Sequence, residues 1–338
     1  MVDDSLVVRS VFQRILERQP NFEVAGTCAS VDEALRFLDR QTIDIVLLDI
    51  EMPGRSGLDA LPEIIDRADG AAVIVISSLV AQNGPRNFEA LSLGACDTLV
   101  KPGGAGHSSN FAESLVEKIG VIANQRAKRP ESATPRPAPP VHGGQAMRPA
   151  CIAIGASTGG ILAIQQFLAA LPGEIDCPIL ITQHLPSNFI PYFAGQLAGR
   201  VTRTVEIGQP GMFMQQNHIY IARGEGHIGC TRSGSGTRVT RIEGEFAARY
   251  VPAVDPMISA VAQAFGRAAV GVVLSGMGVD GLAGARDMRA FGGTMIVQDH
   301  DSSVVWGMPG GIAKAGLADA IMRPGDMGPY LRERSLAV

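Results

Sequence analysis

CIAIGASTGG (residues 151–160) places four residues of strand character, Cys151 to Ile154, before the turn Gly155-Ala156-Ser157-Thr158-Gly159, after which Ile161, Ile164, Leu168 and Leu171 recur at helical spacing. A strand, a tight turn and a helix thus carry one serine at the bend. Such a bend lifts a hydroxyl out at the carboxyl end of a strand, beside the free N–H groups that open the next helix and receive negative charge. The glycines permit the turn. Gly-x-Ser-x-Gly at a bend of this kind marks a nucleophile elbow, but a loop that only needs glycine, or that cradles a phosphate, reads the same way until partners are found elsewhere.

Working outward toward the carboxyl terminus, the apolar run Pro178–Thr182 ends at Gln183-His184-Leu185-Pro186, which puts His184 on the same edge as Ser157. Short strands with glycine-serine turns are expected at Ile219–Ala222, Ile228–Thr231 and Arg238–Ile242, as a hairpin excursion. Val270–Leu274 is a further buried strand running into Ser275-Gly276-Met277-Gly278-Val279-Asp280-Gly281, and a helix over Leu282–Phe291 follows. Asp280 therefore sits at a strand-to-helix turn on that edge as well. Thr294–Gln298 reads as one more strand, followed by Asp299 and His300. Taken singly, His184 reads as a hydrogen-bonded structural histidine and Asp280 as a helix cap. Brought to one edge from three strands, Ser157, His184 and Asp280 instead suit a serine nucleophile whose proton goes to a histidine held by an aspartate. His300 competes for the role of base because it too follows a strand. His107 and His142 lie outside this region, and His218 precedes a strand and faces the opposite edge. The order Ser, His, Asp departs from that of α/β-hydrolases, where the histidine comes last.

Working toward the amino terminus, strand and helix patterns alternate: a helix from Leu6 to Leu16, a strand at Phe22–Thr27, a helix at Val31–Arg40 and a strand at Ile43–Leu48. A helix at Gly57–Ala68, a strand at Ala72–Ile76, a helix at Asn87–Leu93, a strand at Cys96–Val100 and a helix at Asn110–Arg126 complete the series. Alternation on this short spacing implies a parallel sheet covered on both faces, with function at its carboxyl edge. At that edge stand Asp49, Ser77 and Lys101, each directly after an apolar run, with Asp3 and Asp4 where a first strand has just ended. Any one of these aspartates alone serves equally as a helix cap. Three carboxylates together repel unless a cation sits among them, and a hard cation such as Mg²⁺ takes oxygen ligands.

Composition is that of a soluble globular protein of two domains: 338 residues, 46% hydrophobic, 18% charged, with a formal net charge of −4. Such a balance gives no reason to expect nucleic acid as a partner. Neither a membrane span nor a signal peptide is expected. Five scattered cysteines without a CxxC pair read as buried thiols in a reducing cytoplasm. Residues 127–149 hold six prolines and no aromatic, leucine or isoleucine, so they are expected to form an extended, solvated linker. The expected division is 1–126, a linker over 127–148, and 149–338.

The acidic pair Asp3-Asp4, Asp49 within LLDIEMPG, Ser77 and Lys101-Pro102 resemble the receiver domain of two-component response regulators. That resemblance implies a flavodoxin-like fold, phosphorylation of Asp49 by a histidine kinase, a Mg²⁺ ion held by Asp3, Asp4 and Asp49, and a switch role for Ser77 and Lys101. Two features depart from it. Thr98 stands where an aromatic is common, and the first strand is reduced to Met1-Val2, which leaves open a start upstream of Met1. Further on, GASTGG, QHLP, VPAVDPM, LSGMGVDG and SSVVWGMPGGIAKAG resemble the catalytic domain of chemotaxis protein-glutamate methylesterases. The resemblance implies a second doubly wound, Rossmann-like three-layer domain, with Ser157, His184 and Asp280 as its catalytic residues. It further implies removal of methyl groups from glutamyl esters on chemoreceptor signalling helices, often with deamidation of receptor glutamines, and restraint by a receiver that covers the Ser157 edge until phosphorylated. The oxyanion is expected on backbone N–H groups near Thr158 and Met277, with no metal needed for the ester chemistry. MPGG at Met308–Gly311 departs from the longer polar side chains usual in that family. A non-catalytic partner-binding output domain and a general serine esterase are the readings from other classes.

Overall fold

The computed structural model describes residues 1–77, 84–101, 108–127, 147–244 and 250–336. The chain divides into two compact units, Met1–Arg129 and Pro130–Val338. Most of the stretch read as a linker, and with it Pro102, His107 and His142, lies outside the described residues. Among the described residues no helix is long and apolar enough to cross a membrane.

The first unit runs α1 (Leu6–Glu17), α2 (Val31–Leu38), β1 (Ile45–Asp49), α3 (Gly57–Arg67), β2 (Ala72–Ser77), α4 (Gly84–Ser92), β3 (Asp97–Val100) and α5 (Ser108–Ala127). Serine starts three of these helices. The hydroxyls of Ser5, Ser30 and Ser56 accept from the N–H groups of Val8, Glu33 and Asp59, satisfying donors that a helix leaves open at its first turn. In α2 the residues Val31, Ala34, Leu35 and Leu38 share one buried face, as their spacing dictates. The strands β1, β2 and β3 are parallel and adjacent in that order.

One expected strand does not form. Residues 22–27 form no ladder: the Gly26 carbonyl accepts from the Met1 amino group at 2.9 Å, and only Cys28 makes a bridge. The cause is the brevity of its neighbour: Val2 bridges Cys28 on one side and Leu48 on the other, in parallel, and a ladder cannot continue beyond the residues that supply it. Below Val2, the stretch 22–26 and β1 flank a cavity of about 390 Å³.

The second unit runs β4 (Cys151–Ala156), α6 (Gly160–Ala170), β5 (Ile179–Gln183), α7 (Ile190–Ala198), β6 (Thr204–Ile207), β7 (His218–Ile221), β8 (His227–Ser233) and β9 (Gly236–Ile242). It continues with α8 (Val254–Phe265), β10 (Ala269–Val273), α9 (Leu282–Ala290), β11 (Thr294–Gln298), α10 (Met308–Lys314), β12 (Ala320–Met322) and α11 (Pro324–Leu336). Seven parallel strands form one sheet in the order β12-β11-β10-β4-β5-β7-β6, and β8 and β9 form the expected antiparallel hairpin. All six residues of β4 are buried, as are all five of β5 and of β10. Successive strands step from β4 to β5 and outward, and the chain then returns to lay β10 against the other side of β4. That reversal opens a crevice at the carboxyl ends of β4 and β10, where ligands of such sheets bind. All five cysteines are buried and unpaired. Burial pushes the thiols of Cys177 and Cys230 up to about 12, which removes them as nucleophiles.

Candidate active site

Ser157 stands one residue beyond β4, at the mouth of the crevice, and its backbone is pinned from both sides. Its N–H donates to the carbonyl of Ser275 at 3.0 Å, and its carbonyl accepts from Gly160 N–H at 2.8 Å and from Gln183 Nε2 at 2.9 Å. The turn itself needs a left-handed residue at position 159, supplied by Gly159 with φ +75°. Ser275 locks the following residue: its hydroxyl donates to the carbonyl of Thr158 at 2.7 Å, while its N–H donates to Gln298 Oε1 at 2.7 Å. Ser275, Gln183 and Gln298 are buried polar residues at the ends of apolar strands, and they hold the elbow in place. Sequence reasoning gave them no role; a polar side chain closing an apolar run is the signal that marks them.

His184 follows β5, beside Ser157 in register, with its N–H donating to the carbonyl of Ala156 at 3.0 Å. Its Nε2 lies 2.8 Å from Asp280 Oδ2, and the two side chains are only 5% and 4% exposed. With Nε2–H given to the carboxylate, Nδ1 is the nitrogen left as base. Nδ1 is buried and makes no hydrogen bond among the described residues, so the bond from Ser157 that the sequence leads one to expect is not made in this state. Catalytic hydrogen bonds are commonly open in a substrate-free enzyme.

Asp280 is a cap, but of a helix other than the one it precedes. The N–H groups of Val254 and Asp255, which open α8, donate to its Oδ2 and Oδ1 at 2.8 and 2.9 Å. Burial pushes its carboxyl up, but the bonds from His184 and those two N–H groups outweigh burial and hold it below the usual carboxylate range. Asp255 goes the other way: burial raises it, and the nearby Asp280 charge adds to the rise against the Gly284 N–H that donates to it.

Thr158 and Met277, the residues expected to hold an oxyanion, lie on the two lips of the crevice, after β4 and after β10, and both are half-buried. His300 is placed elsewhere. It follows β11, separated from β4 by β10, with its Nδ1 3.3 Å from Asp301 Oδ1 and its ring edge-on to Trp306 at 5.4 Å. His218 opens β7 at the opposite edge of the sheet and bonds Glu206 Oε2 at 2.9 Å. Tyr250, which is not among the residues expected at this site, stacks on the His184 ring.

In the first unit Asp3, Asp4 and Asp49 come together, with carboxylate oxygens within 4.8 Å of one another. Asp3 and Asp49 are buried and Asp4 is exposed. Lys101 Nζ bridges the buried pair, 2.9 Å from Asp3 Oδ2 and 2.6 Å from Asp49 Oδ2. Burial pushes the Asp49 carboxyl up against the opposing bonds from Lys101 and Glu51 N–H. Burial alone would lower Lys101, yet Asp49 and Asp3 hold it above its ordinary value. Ser77 is buried at the end of β2, where its carbonyl accepts from Lys101 N–H at 2.7 Å and its hydroxyl has no partner among the described residues. Three carboxylates against one ammonium form an oxygen-donor set in charge deficit, which fits a hard divalent cation.

Residues 152–331 match the family model described as CheB methylesterase, and residues 1–108 match that described as response regulator receiver domain. A protein of Caulobacter vibrioides named protein-glutamate methylesterase/protein-glutamine glutaminase 2 is 36% identical over 348 residues, covering 100% of this chain and 99% of that one. One of Nitrobacter hamburgensis named protein-glutamate methylesterase/protein-glutamine glutaminase is 35% identical over 353 residues, covering 98% of this chain and 92% of that one. Among solved structures, the catalytic domain of Thermotoga maritima CheB methylesterase superposes with a TM-score of 0.53 at 29% identity, covering 55% of this chain and 98% of that one.

Proposed function

The chain belongs to the CheB methylesterase family, and on that premise we propose that it hydrolyses glutamyl methyl esters on chemoreceptor signalling helices by a Ser157–His184–Asp280 mechanism under the control of phosphorylation at Asp49. Ser157 Oγ attacks the ester carbonyl as His184 Nδ1 takes the hydroxyl proton, and Asp280 stabilises the imidazolium so formed. The oxyanion is held by backbone N–H groups near Thr158 and Met277, each such donor being worth roughly 3–4 kcal/mol. His184 returns the proton to the departing methoxide, releasing methanol and leaving an acyl ester on Ser157. Water then enters, gives its proton to His184 and attacks the acyl carbon, and the return of that proton to Ser157 releases glutamate. A receptor glutamine follows the same course, with ammonia as the leaving group.

The observation that carries this reading is the His184 Nε2 to Asp280 Oδ2 bond of 2.8 Å at the crevice where the Ser157 elbow opens. It is tested by methanol release from methylated receptor together with labelling of Ser157 by a fluorophosphonate. A partner-binding domain without chemistry leaves both at zero, and a general esterase turns over p-nitrophenyl acetate in preference to receptor.

For the first unit, the reading is that a histidine kinase supplies the phosphoryl group to Asp49. Asp3, Asp4 and Asp49 would hold a Mg²⁺ ion, which offsets the charge of the phosphoryl group when bound. Ser77 and Lys101 then take phosphoryl oxygens as partners. The half-buried Lys101 bridge to Asp3 and Asp49 supports this, since an ammonium so placed can exchange one anion for another without leaving the site.

A further inference from the structure

The ring of Tyr250 lies on the His184 imidazole with centroids 4.4 Å apart and planes inclined by 23°. The imidazole is hydrogen-bonded at Nε2 alone, to Asp280 at 2.8 Å, while Nδ1 is closed off from solvent with no partner among the described residues. The Cβ–Cγ bond and that hydrogen bond fix the two ends of the ring, so its plane is set by what packs on its faces. A flat face laid on the ring holds that plane, and stacked aromatic pairs are favourable beyond the area they bury. The same short stretch of chain that carries Tyr250 ends in Val254 and Asp255, whose N–H groups grip Asp280. Residues 250–255 therefore touch both members of the pair. No hydrogen bond from the Tyr250 hydroxyl is formed among the described residues, so its contribution here comes from the ring face.

We propose that Tyr250 is a positioning residue for this reaction: its ring fixes the plane of the His184 imidazole and shields the face of that ring from bulk solvent. The inference rests on the Ser157–His184–Asp280 reading. Tyr250→Phe keeps the face and retains full turnover of methylated receptor. Tyr250→Leu fills the volume without a flat face, and Tyr250→Ala empties it. Both lower kcat by about tenfold at unchanged KM, the size expected for a misplaced base rather than a lost one. A second readout is carbethoxylation of His184 by diethyl pyrocarbonate, followed by peptide mass analysis. It is slow in the wild type and in Tyr250→Phe and several-fold faster in Tyr250→Ala. Melting curves of all three variants establish folding, and should Tyr250→Ala unfold, Tyr250→Leu and Tyr250→Phe decide. Leucine or alanine variants with wild-type kcat and wild-type modification rates overturn the proposal, as does a phenylalanine variant as slow as the alanine one. Ser157→Ala separates the two levels. If it retains methanol release, the catalytic reading itself is wrong; if it is dead while Tyr250→Ala is unimpaired, only the role of Tyr250 is.

Discussion

A Cβ placed on Gly276 would lie 2.9 Å from Ser157 Cβ, and closer still to Met308 Sδ, so the backbone leaving β10 runs directly against the turn that carries the serine. Gly276 is also tied on its far side, its N–H donating to Val305 at 2.9 Å and its carbonyl accepting from Met308 N–H at 2.9 Å. It has no room to retreat. Gly276→Ala is expected to displace residues 275–277 and with them the Met277 N–H. The expected loss in kcat is on the order of a hundredfold, as for one oxyanion donor, with about 1–3 kcal/mol of stability lost to overpacking. Methanol release and a denaturant melt measure the two separately, and wild-type turnover would show that the second lip of the crevice takes no part.

The two candidate bases separate by their surroundings. His184 is held by Asp280, whereas His300 is occupied with Asp301 and Trp306 two strands away from β4. His184→Ala is expected to lower kcat by about 10⁴ or more, Ser157→Ala by a similar factor, and the double variant by no more than either. His300→Ala should stay within a few-fold of wild type. Equal losses at the two histidines, read from initial rates on methylated receptor, would reverse the choice of base.

The edge on which Ser157, His184 and Asp280 meet was legible because each follows an apolar run, and parallel strands end on one side. The strand expected at Phe22–Thr27 fails for a reason no local pattern holds: a strand exists only with a partner, and Met1-Val2 offers a single bridge on each side. β6 and β12, of four and three residues, are too short to show a period and were not anticipated. Tyr250 and the N–H groups of Val254 and Asp255 went unseen because backbone donors carry no residue signature and one aromatic beside a turn carries no spacing. The motif VPAVDPM supplies the amino end of α8, which closes on Asp280.

Acid should weaken the grip on Asp280. A carboxyl whose folded pKa lies below its unfolded value stabilises the fold above about pH 4 and loses that contribution as pH falls through the folded pKa. Asp280 is held low despite its burial, by His184 and by the two N–H groups. Asp280→Asn is therefore expected to cost on the order of 2 kcal/mol at pH 7, with the deficit beginning to shrink once pH falls below about 4, where the unfolded carboxyl takes up its proton before the folded one does. Melting of the two proteins at pH 7, 5 and 3 checks it; a deficit independent of pH would mean that the charge of Asp280 contributes nothing to the fold.

Control of the enzyme should turn on the ammonium that bridges Asp3 and Asp49. Burial raises the Asp49 carboxyl, and only Lys101 and one backbone N–H oppose this, so the cluster is short of positive charge before any phosphoryl group arrives. A phosphoryl group adds about −1.5 to −2 of charge at neutral pH. With Asp3 and Asp4 beside it, that addition would call for a divalent cation and would draw Lys101 away from carboxylate toward phosphoryl oxygen. Stimulation of methanol release by acetyl phosphate should therefore require Mg²⁺, vanish on chelation, and vanish in Asp49→Ala, while the basal rate of that variant stays unchanged. Deleting residues 1–148 should give a raised rate that no longer responds to phosphodonor, because the restraint and its release then go together. If the full-length chain already matches the isolated second unit and acetyl phosphate with Mg²⁺ leaves it unaltered, Asp49 does not govern this esterase.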